Sequence, residues 1–508
     1  MSKNKILFIK SLSLIDTGFP LRVRDNPKYD NNPLINKSEI DKAYDQFRDK
    51  LNFLEGGGVS TIPKLDINIE GRFLAYNIPE VPSIVVDEIC TKNNLKKILN
   101  NNDITHIALS TYGTGLDRTI DLINVIQSEF NDITLYIGGV GTVYPHVQEL
   151  VAPKNICIGN GVNWLREKFN LRLLSKEDFE IPKIIGHFYE FPIKVNTSFL
   201  ITQIGCPYKC DFCITTNILR HTPFSNHKKI INFIENLSLK SSKDIFIFIC
   251  EPNAFYPESI WKKVFSYFIE NPRSIDNNVF LTSLVSLNHI NRFDLETIQK
   301  KSPLKFLMMS CGIESTLEGG YTKNKGNPDK ILNRLNNLGI FTKHNFIIGF
   351  PFHTREKINL EIRNNLRFNT DIIVVSSLKP IPHTQIFDQL KLENRLYDRD
   401  LPPEFLYAFG FLPFKHKFLG GGFKILSYLF KASYEIKKKT IDVFDKFANK
   451  LLDLFAITNS RKIRKAARLM MRLSKFNYSY FQFRMPNHLS SIFQQNIVRT
   501  KERYKEIK

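Results

Sequence analysis

Cys206, Cys210 and Cys213 lie in the stretch Gly205-Cys206-Pro207-Tyr208-Lys209-Cys210-Asp211-Phe212-Cys213, separated by three and then two residues. Four thiolates close a tetrahedral zinc site, whereas three leave one position open. An iron–sulfur cluster held by three cysteines keeps one iron free to bind another molecule, and chemistry can take place there. The same spacing suits a zinc knuckle that borrows a fourth ligand from His221, Cys250 or Cys311. Spacing alone leaves both open.

The elements around the thiols narrow the choice. From the cysteine stretch onward, apolar runs alternate with helical patterns. Strands are expected at Thr197–Ile204, Asp244–Cys250, Val279–Ser286, Lys305–Gly312, Thr342–Gly349 and Asp371–Leu378. Helices are expected near Lys228–Leu239, Glu258–Asn271, Arg292–Lys301, Asp329–Leu338 and Glu356–Phe368. Nearly continuous apolar strands are those of a parallel sheet covered by helices. Six such units over 189–400 predict a partial (β/α)6 TIM-like barrel, open on one side. Chemistry in such barrels sits at the C-terminal strand ends, which is where the cysteines fall.

The Cys-x3-Cys-x2-Cys spacing resembles the signature of the radical S-adenosylmethionine (SAM) enzymes, and the later strand ends fit that family in order. Phe212 matches its aromatic next to the last cysteine, near the adenine. Glu251, in Cys250-Glu251-Pro252-Asn253, stands at the Gly-Gly-Glu position that holds the methionine amino group, although Ile249 and Cys250 replace the two glycines. Gly312-Ile313-Glu314-Ser315 is similar to a Gly-x-Glu-Ser pattern, implying ribose contacts from Glu314 or Ser315. Gly349-Phe350-Pro351, with Thr354 and Glu356 following, resembles Gly-x-Pro-Gly-x-Thr, implying that Gly349 and Pro351 border the adenine. Pro380-Ile381-Pro382-His383-Thr384 resembles a Pro-x-Pro-Gly-Thr turn with His383 in place of the glycine. The resemblance implies a 4Fe-4S cluster on the three cysteines, with SAM on its open iron, cleaved reductively to a 5′-deoxyadenosyl radical. It names no further catalytic residue.

Ahead of the barrel, over 1–188, strands at Lys5–Lys10, His106–Ser110, Ile133–Ile137 and Asn155–Ile158 alternate with helices at Asp117–Phe130, Pro145–Val151 and Val162–Phe169. That pattern predicts a Rossmann-like doubly wound sheet, with its ligands outside the carboxyl ends of the strands. A helix is expected near Lys37–Leu54, then Gly56-Gly57-Gly58, with Val59–Pro79 irregular or short-stranded. The loops Ser110-Thr111-Tyr112-Gly113 and Gly138-Gly139-Val140-Gly141-Thr142 look like those of the cobalamin-binding domain that precedes many radical SAM barrels. By that resemblance Ser110, Thr111, Gly138 and Gly139 line the slot for the cofactor's nucleotide tail. The chain lacks Asp-x-His-x-x-Gly, so no histidine is offered to cobalt, and Gly159-Asn160-Gly161-Val162 stands where the family has Gly-Glu-Gly-Glu. His106 and His146 read as surface or strand-end residues. Pro182–Pro192 reads as a linker.

The 508 residues are 43% apolar and 24% charged, ordinary for a globular chain of several domains. Seven cysteines, three of them clustered, suit a reducing cytoplasm better than a disulfide framework. The apolar start is interrupted by Lys10 and followed by no small-residue cleavage site, so no signal peptide is expected. No run reaches the length of a membrane span. The net charge of +21 is concentrated at the end: from Phe411 to Lys508 there are 22 Lys/Arg against 6 Asp/Glu.

Residues 401–508 are expected to form a basic helical extension, with breaks at Pro402-Pro403 and Gly420-Gly421-Gly422 and helices at Phe423–Phe455 and Lys462–Lys475. Ile463, Ala467, Met470 and Leu473 form an apolar stripe. Arg461, Lys462, Arg464, Lys465, Arg468 and Arg472 cover much of the rest, with Phe476, Tyr478, Tyr480, Phe481 and Phe483 beyond. Such a tail suits a solvated cap, an anionic membrane surface, a nucleic acid or an acidic carrier. The leading expectation is a cobalamin-associated radical SAM enzyme, acting on an unactivated carbon of an unspecified substrate by methyl transfer or another radical outcome. It would be fed electrons by a donor such as flavodoxin or ferredoxin. The alternatives are a radical SAM enzyme without cobalamin (oxidation, cyclisation or rearrangement) and a metal-stabilised RNA-binding protein. A methylthiotransferase is disfavoured, since the first domain has only Cys90 and Cys157 for a second cluster.

Overall fold

Ile6–Ser11 (β1) is buried at every position, as its apolar run demands. It lies between Ser83–Val85 (β2) and His106–Thr111 (β3), with Thr134–Gly138 (β4) and Ile156–Cys157 (β5) beyond. Every pairing in this five-stranded sheet is parallel, in the order β2-β1-β3-β4-β5. This is a doubly wound sheet whose order reverses between β1 and β3, so its ligand crevice opens at Lys10–Ser11 and Ser110–Thr111. The computed structural model describes residues 4–11, 19–30, 35–55, 67–87, 90–188, 195–240, 244–317, 327–397, 401–440 and 442–458, with helical pieces between 463 and 500.

Two expectations here are corrected. Within Val59–Pro79, residues 67–79 are not irregular: a helix spans Ile69–Asn77, started by Asn68, whose side chain accepts the Gly71 amide at 2.9 Å. Gly71 and Asn77 had broken its apolar periodicity. The stretch Pro182–Pro192 contains a strand, Ile184–Phe188 (β6), paired antiparallel with Val195–Leu200 (β7). Pro182 lies just ahead of it and Pro192 after it, consistent with proline's exclusion from strand interiors. Gly56-Gly57-Gly58 lies outside the described residues.

The second sheet holds seven strands. After β7 comes a short antiparallel pair, Gln203–Ile204 (β8) and Thr222–Pro223 (β9). The sheet continues with Ile245–Ile249 (β10), Val279–Val285 (β11), Leu304–Glu314 (β12), Phe341–Ile348 (β13) and Ile372–Ser377 (β14). From β7 to β14 all neighbours are parallel and consecutive. The six units of the expected partial barrel are present, with β6 added on the β7 edge.

Residues beyond 400 bind the two sheets together. Phe405, Phe411, Phe423 and Phe430 share a core with β1, β3 and the helix Leu116–Glu129. Leu412, Phe414, Ile425 and Leu429 pack instead with Phe346 and Ile348 of β13. Leu412–His416 (β15) and Gly420–Gly422 (β16) form an antiparallel hairpin that helical patterning did not suggest. The expected long helix is divided into Leu426–Lys439 and Val443–Thr458. The second helix seats Phe447 on Phe341 at 4.4 Å between centroids, at the start of β13. Its Lys450 donates to the Ile340 carbonyl and pairs with buried Asp371. It thus covers the end of the barrel away from the cysteines. Of the tail stripe, Ile463, Ala467 and Met470 are buried in the barrel core. Leu473, Arg461, Lys462, Lys465, Arg472 and the aromatics from Phe476 to Phe483 lie outside the described residues. No helix among the described residues is long and apolar enough to cross a membrane.

Candidate active site at the C-terminal rim of the barrel

The cysteine loop is an excursion closed at its base by the β8–β9 pair. Gly205 opens it with φ +75°, and a Cβ there would stand 2.8 Å from the Leu219 carbonyl, so the turn requires glycine. Cys206 and Cys213 are half-buried, Cys210 is buried, and no disulfide joins them. The Cys213 amide donates to the Cys210 carbonyl at 3.1 Å.

Four neighbours hold the loop. The Tyr208 and Ser286 hydroxyls lie 3.0 Å apart, tying it to the end of β11. Phe212 meets Phe350 edge-on at 5.9 Å, just beyond β13. The Ile386 amide donates to the Asp211 carbonyl at 3.2 Å from the helix Gln385–Leu392. Ile214 is buried in the core of the first sheet.

Glu251 lies beneath this loop. Its Oε1 accepts the Thr202 amide at 2.5 Å and the Thr202 hydroxyl at 2.6 Å, and its Oε2 accepts from Gln203 at 2.9 Å. Burial pushes its carboxyl up to about 7, against the opposing effect of those donors. Glu251 therefore braces β7 and β8 at the foot of the loop. A carboxylate has about four lone-pair sites, so Oε2 keeps room for one more donor. Gln203 Oε1 lies 2.7 Å from His221 Nε2, which engages one of the borrowed ligands a zinc knuckle needs. Among the described residues no three His, Cys, Asp or Glu side chains gather around one ion. A cubane cluster makes no such demand, because its cysteines bind separate irons.

Glu314 and Ser315 are both buried at the end of β12, and Glu314 has φ +64°. Gly349 follows β13 with φ +91°, and Leu412 of β15 lies 3.1 Å from where its Cβ would be. Pro351 is two residues further along the rim. Phe212, Glu251, Glu314, Ser315, Gly349 and Pro351 thus stand on one rim with the cysteines. Sequence reasoning missed four rim residues: Ser286, Asn253, His353 and Glu361. Asn253 Oδ1 accepts the Ser286 amide at 2.8 Å. Asn253 and His353 lie inside the quoted stretches Cys250–Asn253 and Gly349–Thr354, but the roles of all four come from contacts that only packing makes.

Phe346 and Ile348 pack with Ile358 and Ile362 of the covering helix Arg355–Arg367. Strand alternation therefore turns Lys343 and Asn345 to the opposite face, the barrel interior. In register with them are Ser310 and Leu284, and Gly312 and Val374. Asn345 Oδ1 is buried without a hydrogen-bond partner, and Leu284 is 38% exposed. An interior that sets Ser310, Lys343 and Asn345 beside Leu284 and Val374 offers a small organic substrate both polar and apolar contacts.

In the first domain, Thr111 Oγ1 donates to the Gly138 carbonyl at 2.7 Å, and Thr111 is buried. Gly139 has φ +92°, and a Cβ there would lie 2.4 Å from the Thr111 carbonyl oxygen. Gly139 is exposed, and Ser110 and Gly138 are half-buried. Ser110, Gly138 and Gly139 thus line the carboxyl ends of β3 and β4, next to the switch point, with Thr111 packed behind them. Both thiols of this domain, Cys90 and Cys157, are buried and pushed up to about 11.

This architecture matches solved structures along most of its length. It aligns with the radical SAM methyltransferase TsrM from Kitasatospora setae, solved with tryptophan substrate and a SAM analogue (TM-score 0.51, 11% identity, 77% of this chain and 76% of that one). It aligns also with the cobalamin-dependent SAM radical enzyme OxsB bearing aqua-cobalamin (TM-score 0.53, 12% identity, 100% of this chain and 79% of that one). The chain has the fold of a cobalamin-dependent radical SAM enzyme. Two curated proteins match in sequence. A tRNA-2-methylthio-N(6)-dimethylallyladenosine synthase of Buchnera aphidicola subsp. Cinara cedri is 29% identical over 62% of this chain and 80% of its own length. An anaerobic magnesium-protoporphyrin IX monomethyl ester cyclase of Cereibacter sphaeroides is 24% identical over 42% of this chain. That match spans only 35% of the cyclase. No family model matches the sequence.

Proposed function

We propose that this chain is a radical SAM enzyme that modifies an unactivated carbon of a small substrate held inside the barrel, with cobalamin at the edge of the first domain. The observation that carries the reading is the cysteine loop: three thiols, undivided by any disulfide, presented on the rim of a parallel barrel. When bound, a cluster there supplies the electron that breaks the SAM sulfonium, and cobalamin supplies a carrier for a methyl group.

The protein's own residues do the rest. Cys206, Cys210 and Cys213 would ligate three irons and leave the fourth for SAM. Glu251 Oε2 would accept from the methionine ammonium through its remaining lone pair. The turn at Glu314–Ser315 and the backbone at Gly349–Pro351 would border the ribose and adenine, with Phe212 beside them. Ser110, Gly138 and Gly139 would line the cobalamin tail, with Thr111 fixing their spacing. Leu284, Ser310, Lys343 and Asn345 would face the substrate. The domain extents 1–188, 189–400 and 401–508 serve this division of labour, although β6 pairs into the barrel sheet. A methylthio transfer like that in the Buchnera relative's name is not supported, because Cys90 and Cys157 are buried, poorly acidic thiols.

The test is anaerobic reconstitution with iron and sulfide, then dithionite and SAM. The expected result is 5′-deoxyadenosine in the wild type and none in a Cys206/Cys210/Cys213→Ala variant. Zinc in place of iron, with no deoxyadenosine, overturns the reading. A cobalt content near zero after incubation with hydroxocobalamin would remove cobalamin alone.

A further inference from the structure

Glu361 lies on the helix Arg355–Arg367, away from every motif described above, and is fully buried. Its carboxylate gathers the turn after β12. Ser315 Oγ donates to Oε2 at 2.7 Å, and the Thr316 amide and hydroxyl donate to Oε1 at 2.7 and 3.0 Å. Asn365 Nδ2 adds a fourth donor at 2.7 Å. The residue just before this turn, Glu314, holds φ +64°, a conformation that costs a non-glycine residue energy and persists only where its surroundings enforce it.

The same carboxylate faces the neighbouring strand end. His353 Nδ1 accepts the Gly349 amide at 3.1 Å, so its proton sits on Nε2, which lies 3.9 Å from Glu361 Oε2, too far for a hydrogen bond, and has no other partner. Burial drives the His353 imidazole down to about 3, so the ring is neutral and this tautomer is fixed by the Gly349 contact. One buried carboxylate thus stands between the turn carrying Glu314 and Ser315 and the turn carrying Gly349 and Pro351.

We infer that Glu361 is a positioning residue for SAM, with the His353 ring packed between it and Gly349. It sets the spacing of the two strand-end turns against which ribose and adenine are held, without touching either. The inference rests on the proposed SAM site at those turns. It predicts that Glu361 acts on SAM affinity more than on cluster assembly, because the cysteine loop meets these turns at Phe350 and is otherwise held at Ser286, Ile386 and the first-sheet core around Ile214.

The experiment uses the full chain, reconstituted with its cluster. Glu361→Gln keeps the shape but puts a donor where Ser315 or Thr316 must donate. It should keep wild-type iron content and raise the KM for SAM in deoxyadenosine formation by about tenfold, with kcat changed much less. Ser315→Ala should raise that KM too, and the double variant should fall short of the sum of the two single effects, because they share the Ser315–Glu361 contact. His353→Asn, whose Oδ1 can still accept the Gly349 amide, should keep a lower KM than His353→Leu. Should Glu361→Gln prove unstable, the Ser315→Ala and His353 pair carry the same test. Unchanged SAM KM across these variants, or equal loss of iron and affinity, overturns the inference. A wild type that makes no deoxyadenosine would instead defeat the parent reading.

Discussion

The Tyr407 ring lies flat against Gly113: a Cβ on Gly113 would stand 2.1 Å from Tyr407 Cε2 and Cζ. The Tyr407 hydroxyl is also 3.1 Å from that of Tyr144, so a residue beyond the barrel locks down two loops of the first domain. Gly113→Ala should therefore destabilise by about 1–3 kcal/mol through overpacking. Thermal unfolding measures it, and the cost of Gly113→Ala should shrink in a Tyr407→Ala background, where the clashing ring is gone.

His383 holds φ +67° in the turn where the family pattern has glycine. The turn kept its left-handed shape although the residue changed. His383→Gly should relieve strain of about 1 kcal/mol, less what glycine costs through the unfolded chain, for a small net gain in Tm. A clear loss of Tm would mean that the imidazole makes a contact worth more than the strain.

Lys379 is half-buried where β14 ends and donates to the Ala408 and Phe411 carbonyls. Burial lowers its ammonium from the usual lysine range to about 7. A folded pKa below the unfolded one means that the unfolded chain binds more protons between about 7 and 10, so this group's contribution grows as pH rises there and is lost as pH falls through 7. Relative to Lys379→Met, the wild type should gain stability from pH 7 to pH 10 in denaturant titrations. A pH-independent difference would count against a neutral amine.

Lys450 pairs with Asp371, which is almost fully buried at the closed end of the barrel. Lys450→Met leaves that carboxylate facing an apolar group and should cost about 3 kcal/mol, whereas Lys450→Met with Asp371→Asn should cost less than the single variant. Chemical unfolding of the two variants decides it.

Single Cys→Ala changes at 206, 210 or 213 should each abolish the broad visible absorbance of a reconstituted cluster. The same change at 90 or 157 should leave it intact, since those thiols lie in the other domain's interior. Iron and sulfide assays on the purified variants provide the check.

The sequence by itself determined the cysteine spacing and the six strands, because both are local: three thiols in one loop, and runs that are mostly apolar because helices cover the sheet. It also carried the order of Glu251, Glu314–Ser315 and Gly349–Pro351, since each closes a strand. Tertiary structure alone decided what those residues touch. Glu251 turned out to brace Thr202 and Gln203, a partnership separated by about fifty positions that no periodicity encodes. The Asn68-capped helix and β6 were hidden because Gly71, Asn77 and flanking prolines blur the local pattern. Glu361, Lys379 and Tyr407 were invisible for a plainer reason: an isolated glutamate, lysine or tyrosine acquires meaning only when packing removes water from it and sets a specific partner beside it.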